Sequence, residues 1–191
     1  LVNNKHRKLE SCDLSGILTL GGTILGTSKK ANPYRYAIKK GGDITFKDES
    51  RTAIRNLKKL KLDCLVCIGG DGTLGIANKF LNDDIPIVGI PKTIDNDITG
   101  TDITFGFDSA VSIATEGIDR LHTTAQSHHR VMVIEVMGHR AGWLALYSGI
   151  AGGGDIILIP EIPYDINSII RKVRDRNRRG KRFSIVVVAG G

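Results

Sequence analysis

Short, mostly apolar runs alternate with stretches of helical periodicity along most of this 191-residue chain. Residues 62–68, 85–90, 131–136, 156–159 and 184–188 are rich in Ile, Val or Leu and short enough for strands. Between them, Ile54, Leu57 and Leu60 recur at helical spacing behind Ser50, whose hydroxyl suits a helix cap. Further helices are expected through Phe80 and over residues 108–123, 141–150 and 165–178. Apolar strands separated by helices predict the α/β class, with a parallel sheet covered on both faces in a three-layer α/β/α arrangement. Residues 100–107 carry turn chemistry without a clear period. They are the expected crossing between parts of two Rossmann-like lobes, 1–106 and 107–191.

Composition changes this picture in two places. Glycine accounts for 23 residues, many in doublets or triplets such as Gly21-Gly22, Gly41-Gly42, Gly69-Gly70 and Gly152-Gly153-Gly154. With no collagen-like repeat, these mark turns where backbone bends or approaches a ligand. The net charge of +7 is uneven: residues 165–182 hold eight of the 27 basic residues and two of the 20 acidic ones, leaving the remainder at +1. That stretch is expected to be a helix with Ile166, Ile169, Ile170 and Val173 as a buried stripe and its arginines outside. No aromatic residues interleave with them, so the pattern fits a solvated face attracting an anionic ligand better than a nucleic-acid surface.

Cys12, Cys64 and Cys67 are too few for a disulfide framework. Cys64 and Cys67 fall in one apolar run, where strand geometry would turn them to opposite faces, so reduced core thiols are expected rather than a metal site. No apolar run approaches the roughly 20 residues of a membrane span and no signal peptide opens the chain, so a soluble, cytoplasmic protein is expected.

In parallel sheets, ligands bind beyond the carboxyl ends of the strands, which singles out the turns at 69–73, 91–97 and 137–142. Gly69-Gly70-Asp71-Gly72-Thr73 follows a strand and opens a helix, so backbone N–H groups can approach phosphate oxygens. Asp71 beside a phosphate suggests an intervening Mg²⁺. Pro91-Lys92-Thr93-Ile94-Asp95-Asn96-Asp97 gathers a cation, a hydroxyl and two carboxylates. One carboxylate could take a proton from an attacking hydroxyl while the other helps hold a metal, and Lys92 could neutralise developing phosphate charge. An Asp-rich surface turn is the alternative for that segment.

These motifs occur in order with Thr104-Phe105-Gly106-Phe107, Glu135-Val136-Met137-Gly138 and Ala151-Gly152-Gly153. Together they resemble the 6-phosphofructokinase family over nearly the whole chain. The resemblance implies two lobes, a nucleotide-binding one (1–106) and a sugar-phosphate-binding one (107–191). It implies dimers or tetramers, and transfer of a phosphoryl group to the 1-hydroxyl of fructose 6-phosphate in glycolysis. It makes Asp95 the base, with Thr93 beside the transferred group and Asp71 the Mg²⁺ carboxylate, while Lys92 stays a catalytic cation by its charge. Gly70, Gly72 and Thr73 would lie around the donor phosphates, and Lys29 and Lys30 would stand where an Arg often faces them, keeping charge without a bidentate fork. Thr93, Ile94, Asp95, Met137, Gly138 and His139 would contact the sugar phosphate, and Arg130 would reach it in a neighbouring subunit.

Departures accompany the resemblance. His139 followed by Arg140 stands where one Arg is usual, Gly190 sits near an expected sugar-binding Glu, and His122 replaces an effector-site Arg while Asp155 keeps an acidic residue after the glycines. A first strand is expected before Leu1 and a closing segment after Gly191, so the chain is expected to be an internal fragment with little turnover by itself. For the donor, Gly72 leaves room for an α-phosphate and favours ATP, whereas Lys92 resembles pyrophosphate users; the steric argument carries more weight. An NAD-kinase or lipid-kinase relative would share Gly-Gly-Asp-Gly-Thr but lack the 91–97 turn. A non-catalytic regulatory subunit would not need Asp71, Thr93 and Asp95.

Overall fold

The computed structural model describes residues 1–28, 31–138 and 140–190. The chain forms two compact units, residues 1–67 with 72–89, and residues 68–71 with 90–191.

In the first unit, strands β1 (Tyr36–Lys40) and β2 (Asp43–Lys47) pair antiparallel, with Lys40 opposite Asp43. The turn between them is Gly41-Gly42, with φ of 61° and 100°. Two successive positive φ values match the twist of a two-residue hairpin, a conformation open to glycine. The hairpin departs from the alternating strand–helix expectation; its signal was the Gly-Gly pair between short β-prone runs. Helix α1 (Ser50–Lys59) starts where expected but is capped differently. Ser50 is already the first helical residue, and its N–H donates to the Asp48 carboxylate at 2.8 Å. Ala53 and Leu57 of α1 pack with Phe80 and Ile85, supported by Tyr34, Leu65 and Ile87.

Strand β3 (Leu65–Gly69), helix α2 (Asp71–Leu81) and strand β4 (Ile87–Pro91) follow in order, and β3 and β4 are hydrogen-bonded neighbours. The Leu65 N–H donates to Pro86 O at 2.8 Å and the Lys92 N–H to Gly69 O at 2.9 Å. Both partners advance together along the chain, so the pair is parallel. Cys64 lies before the strand and is exposed, as is Cys12, which corrects the expectation of core thiols. Burial pushes the half-buried Cys67 thiol upward, with Cys64 adding to the effect. Among the described residues, no group of three or more His, Cys, Asp or Glu side chains is arranged to hold a metal.

The second unit carries helix α3 (Phe107–His128), strand β5 (Val131–Met137), helix α4 (Trp143–Ala151), strand β6 (Ile156–Leu158), helix α5 (Ile166–Arg178) and strand β7 (Ser184–Gly190). The sheet order is β5-β7-β6, all parallel, with Met137 opposite Gly190 and Leu158 opposite Val188. Helix α3 runs about one turn beyond its expected end, because nothing breaks it before His129, at φ 52°. Ile118 and Ala125 of α3, Ala145 of α4, and Ile185 and Val187 of β7 form the core, with Met132, Ile134 and Val136 packed against it.

The other sheet face differs from expectation. Val131 and Val133 are exposed, and no residue of α5 is buried; Ile166 is 64% exposed and Ile170 41%. The expected stripe instead lines an open cavity of about 480 Å³ with Val131, Val133, Leu158 and Val188. Periodicity identified the apolar side of α5 but could not say how closely it would meet the sheet.

Candidate active site

The turns at 69–71 and 91–97 meet at the carboxyl ends of β3 and β4. The Lys92 N–H bond to Gly69 O sets their register, and a Cβ at Gly70 would lie 3.4 Å from Thr93 Cβ and 3.7 Å from Thr93 Oγ1. The glycine-rich turn therefore passes directly over the hydroxyl of the second turn. Asp71 opens α2 with its carboxylate exposed, and Gly72 and Thr73 follow in the exposed first turn. No described residue lies within 4 Å of the position a Cβ would take at Gly72.

Within the second turn, the Thr93 hydroxyl donates to Asp95 Oδ2 at 3.2 Å and accepts the Asp95 N–H at 3.2 Å. This small ring fixes the carboxylate beside the hydroxyl. Thr93, Ile94 and Asp95 are half-buried, whereas Lys92 and Asp97 are exposed. The two acidic side chains of this turn therefore differ in burial, Asp95 half-buried and Asp97 exposed.

A second segment holds this turn in place. Thr104, 2% exposed, donates its hydroxyl to Thr93 O at 2.8 Å, and its N–H goes to Asn96 Oδ1 at 2.9 Å. The Phe105 N–H donates to Pro91 O at 2.9 Å, and Lys92 and Phe105 form a parallel bridge. Gly106 then turns at φ 105°, with its would-be Cβ 3.6 Å from Thr93 O. Such a φ beside a neighbouring backbone suits glycine alone. Thr104-Phe105-Gly106-Phe107 is thus a clasp on the 91–97 turn. The motif was visible in the sequence; its partner was not.

Met137 and Gly138 end β5 at the carboxyl edge of the other sheet. Met137 is exposed and Gly138 buried, and the Ala141 N–H closes a turn onto Gly138 O at 2.8 Å. The Gly142 N–H, at the entrance to α4, donates to Glu161 Oε1 at 2.7 Å. No local signal marks Glu161, which lies 19 residues away. Arg130 precedes β5 at its opposite end, exposed. Seven strand residues span about 20 Å, so Arg130 does not join Met137 within one chain. Lys29, Lys30 and His139 lie outside the described residues.

The residues singled out by the departures have structural partners. The His122 ring bonds Gly152 O through Nε2 at 2.7 Å. The Asp155 carboxylate pairs with Arg176 at 2.5 Å and accepts the Ile185 N–H at 3.0 Å, and Arg176 also donates to Ser184 Oγ.

This order of elements and turns is shared with known proteins. The phosphofructokinase family model matches residues 1–191. The chain belongs to the phosphofructokinase family. It is 56% identical over 192 residues to ATP-dependent 6-phosphofructokinase 2 of Clostridium perfringens, covering 100% of this chain and 52% of that protein. It is 60% identical over 178 residues to ATP-dependent 6-phosphofructokinase 3 of Bacteroides thetaiotaomicron, covering 93% and 52%. The chain thus spans about half the length of these curated relatives. Among solved structures, the pyrophosphate-dependent phosphofructokinase of Marinobacter aquaeolei superposes on 78% of this chain and 41% of its own, with a TM-score of 0.65 and 28% identity. The parallel strands and flanking helices of this chain confirm the α/β class.

Proposed function

We propose that the whole protein transfers a phosphoryl group from ATP to the 1-hydroxyl of fructose 6-phosphate, giving fructose 1,6-bisphosphate. The observation that carries this reading is the packing of Gly70 against Thr93, whose hydroxyl is bonded to Asp95. A phosphate-binding turn and a proton acceptor then share one place. The sugar hydroxyl oxygen attacks the terminal phosphorus, the bond from that phosphorus to the bridging oxygen breaks, and the hydroxyl proton passes to Asp95. Lys92 offsets the charge that builds on the transferred group, while Gly70, Gly72 and Thr73 present backbone to the donor phosphates.

Mg²⁺ fits the residues present. Asp71 offers one exposed carboxylate with no bonded partner among the described residues, and no three-ligand cage stands nearby. That donor set suits an ion held mainly by phosphates and water. Asp71 would hold it, and the ion would neutralise phosphate charge.

ATP is the favoured donor. No described residue fills the space over Gly72, and the relatives at 56% and 60% identity are named ATP-dependent, against 28% and 26% for two pyrophosphate-dependent neighbours. Ile94, Met137, Gly138 and His139 would contact the sugar phosphate and Arg130 would reach a neighbouring subunit, so the active form is a cytoplasmic homodimer or homotetramer. The division into a nucleotide lobe at 1–106 and a sugar-phosphate lobe at 107–191 belongs to the same proposal. The test is ADP formation by the full-length protein with and without fructose 6-phosphate; consumption that does not depend on the sugar phosphate rejects the reading.

A further inference from the structure

Among the described residues five non-glycine positions take positive φ, and Asn96, at 52°, is the one that directly follows Asp95. Side chains rarely occupy this region, and asparagine is among the few that tolerate it, because its short amide bonds locally. The amide does so here. Its Oδ1 accepts the Thr104 N–H at 2.9 Å, and its Nδ2 makes a longer bond to Asp102 O at 3.4 Å. Only one orientation of the amide serves both partners, since the N–H needs the oxygen and the carbonyl needs the nitrogen. Residues 97–103 therefore leave the turn and return to it through one half-buried side chain.

The reversal at Asn96 fixes the residue before it. The Asp95 N–H and Oδ2 both meet the Thr93 hydroxyl at 3.2 Å, and Thr93 O in turn accepts the Thr104 hydroxyl at 2.8 Å. Asp95 is thus held on one side by Thr93 and on the other by Asn96, and both holds end on the segment at 102–104. Glycine at 96 would take the same φ but supply no bond. Aspartate would tolerate the φ and accept from Thr104, yet could not donate to Asp102 O. Asparagine combines all three properties. If position 96 relaxed to negative φ, the peptide joining it to Asp95 would turn and carry the carboxylate away from the Thr93 hydroxyl.

We propose that Asn96 is a positioning residue for Asp95: its left-handed backbone and its two side-chain bonds hold the Asp95 carboxylate where it takes the proton of the sugar hydroxyl. The inference rests on the phosphoryl-transfer reading above and gives Asn96 no contact with either substrate. Loosening this hold displaces the base and spares the binding groups, so it lowers kcat and leaves both KM values nearly unchanged.

Steady-state kinetics of the full-length protein, well below its melting temperature, test this. N96A loses both the tolerance of positive φ and the two bonds, and is expected to lower kcat at least about tenfold. Its KM values for ATP and fructose 6-phosphate are expected to stay within about threefold of wild type. N96G takes the φ without strain and so spares the fold while losing both bonds; its kcat is expected to fall at least about threefold. N96D keeps an oxygen facing the Thr104 N–H and is expected to hold kcat within about twofold of wild type. Beside D95S, N96A is expected to change kcat less than about twofold, because the base through which it acts is gone. Wild-type kcat in both N96A and N96G, an N96D protein as slow as N96A, or an N96A loss that persists in full beside D95S each overturns the inference and leaves phosphoryl transfer standing. A wild-type protein inactive with ATP and fructose 6-phosphate overturns both.

Discussion

Asp95 and Asp97 are two residues apart, yet only Asp95 is half-buried and bonded to the Thr93 hydroxyl. Removing a general base while sparing binding groups lowers kcat far more than affinity. Asp95→Ser is therefore expected to reduce kcat by about 10²–10⁴, with KM for both substrates within a few fold. A variant with normal turnover would assign the proton to another group. Asp71 is the proposed Mg²⁺ carboxylate. Asp71→Ala is expected to raise the Mg²⁺ concentration needed for half-maximal rate, and excess Mg²⁺ should restore part of the activity. An unchanged Mg²⁺ titration would separate Asp71 from the metal. The resemblance had named both residues; the structure adds that Asp95 is half-buried and bonded to the Thr93 hydroxyl.

Between elements, the clasp from 104–106 onto 91–97 is the feature that holds the site together. Thr104 is almost wholly buried and its hydroxyl serves Thr93 O. Thr104→Val keeps the shape but leaves that carbonyl without its donor, which costs roughly 1–3 kcal/mol of stability. It should also lower kcat, because the turn carrying Asp95 loses one of its fixed points. Thr104→Ser keeps the hydroxyl and is expected to preserve kcat; denaturant melts and steady-state rates on the pair provide the check. Equal kcat for Val and Ser variants would make Thr104 a purely structural residue. Glu161 at the Gly142 N–H does similar work for the loop after β5. Neither link has a sequence signature, because each joins backbone groups to side chains 11 to 19 positions away.

For the whole molecule the choice to test is the donor, since two solved neighbours are pyrophosphate-dependent enzymes and the curated relatives are named ATP-dependent. If the clear space over Gly72 admits a nucleotide α-phosphate, the full-length protein should use ATP with a higher kcat/KM than pyrophosphate. Gly72→Asp should then depress ATP use by setting a carboxylate against an anionic phosphate. The position can accept a Cβ, with no described residue within 4 Å, so the effect would report charge and bulk toward the ligand rather than misfolding. Preference for pyrophosphate in the wild type would transfer the decision to Lys92.

The order of strands and helices, the α/β class and the two chemistry-bearing turns were legible in the sequence. They depend on local periodicity and on glycine and proline placement, which neighbouring residues alone determine. The hairpin at 36–47 could also have been read from Gly41-Gly42, since a two-residue turn is local too. Tertiary structure decided what depends on distant partners. It set Gly70 against Thr93, laid Thr104 over the 91–97 turn, tied Glu161 to Gly142 and left the apolar side of α5 exposed. It also placed the Glu135 side chain where a Cβ at Gly190 would stand. Register across a parallel sheet arises from packing between strands some 50 residues apart, so no local pattern in either strand specifies it.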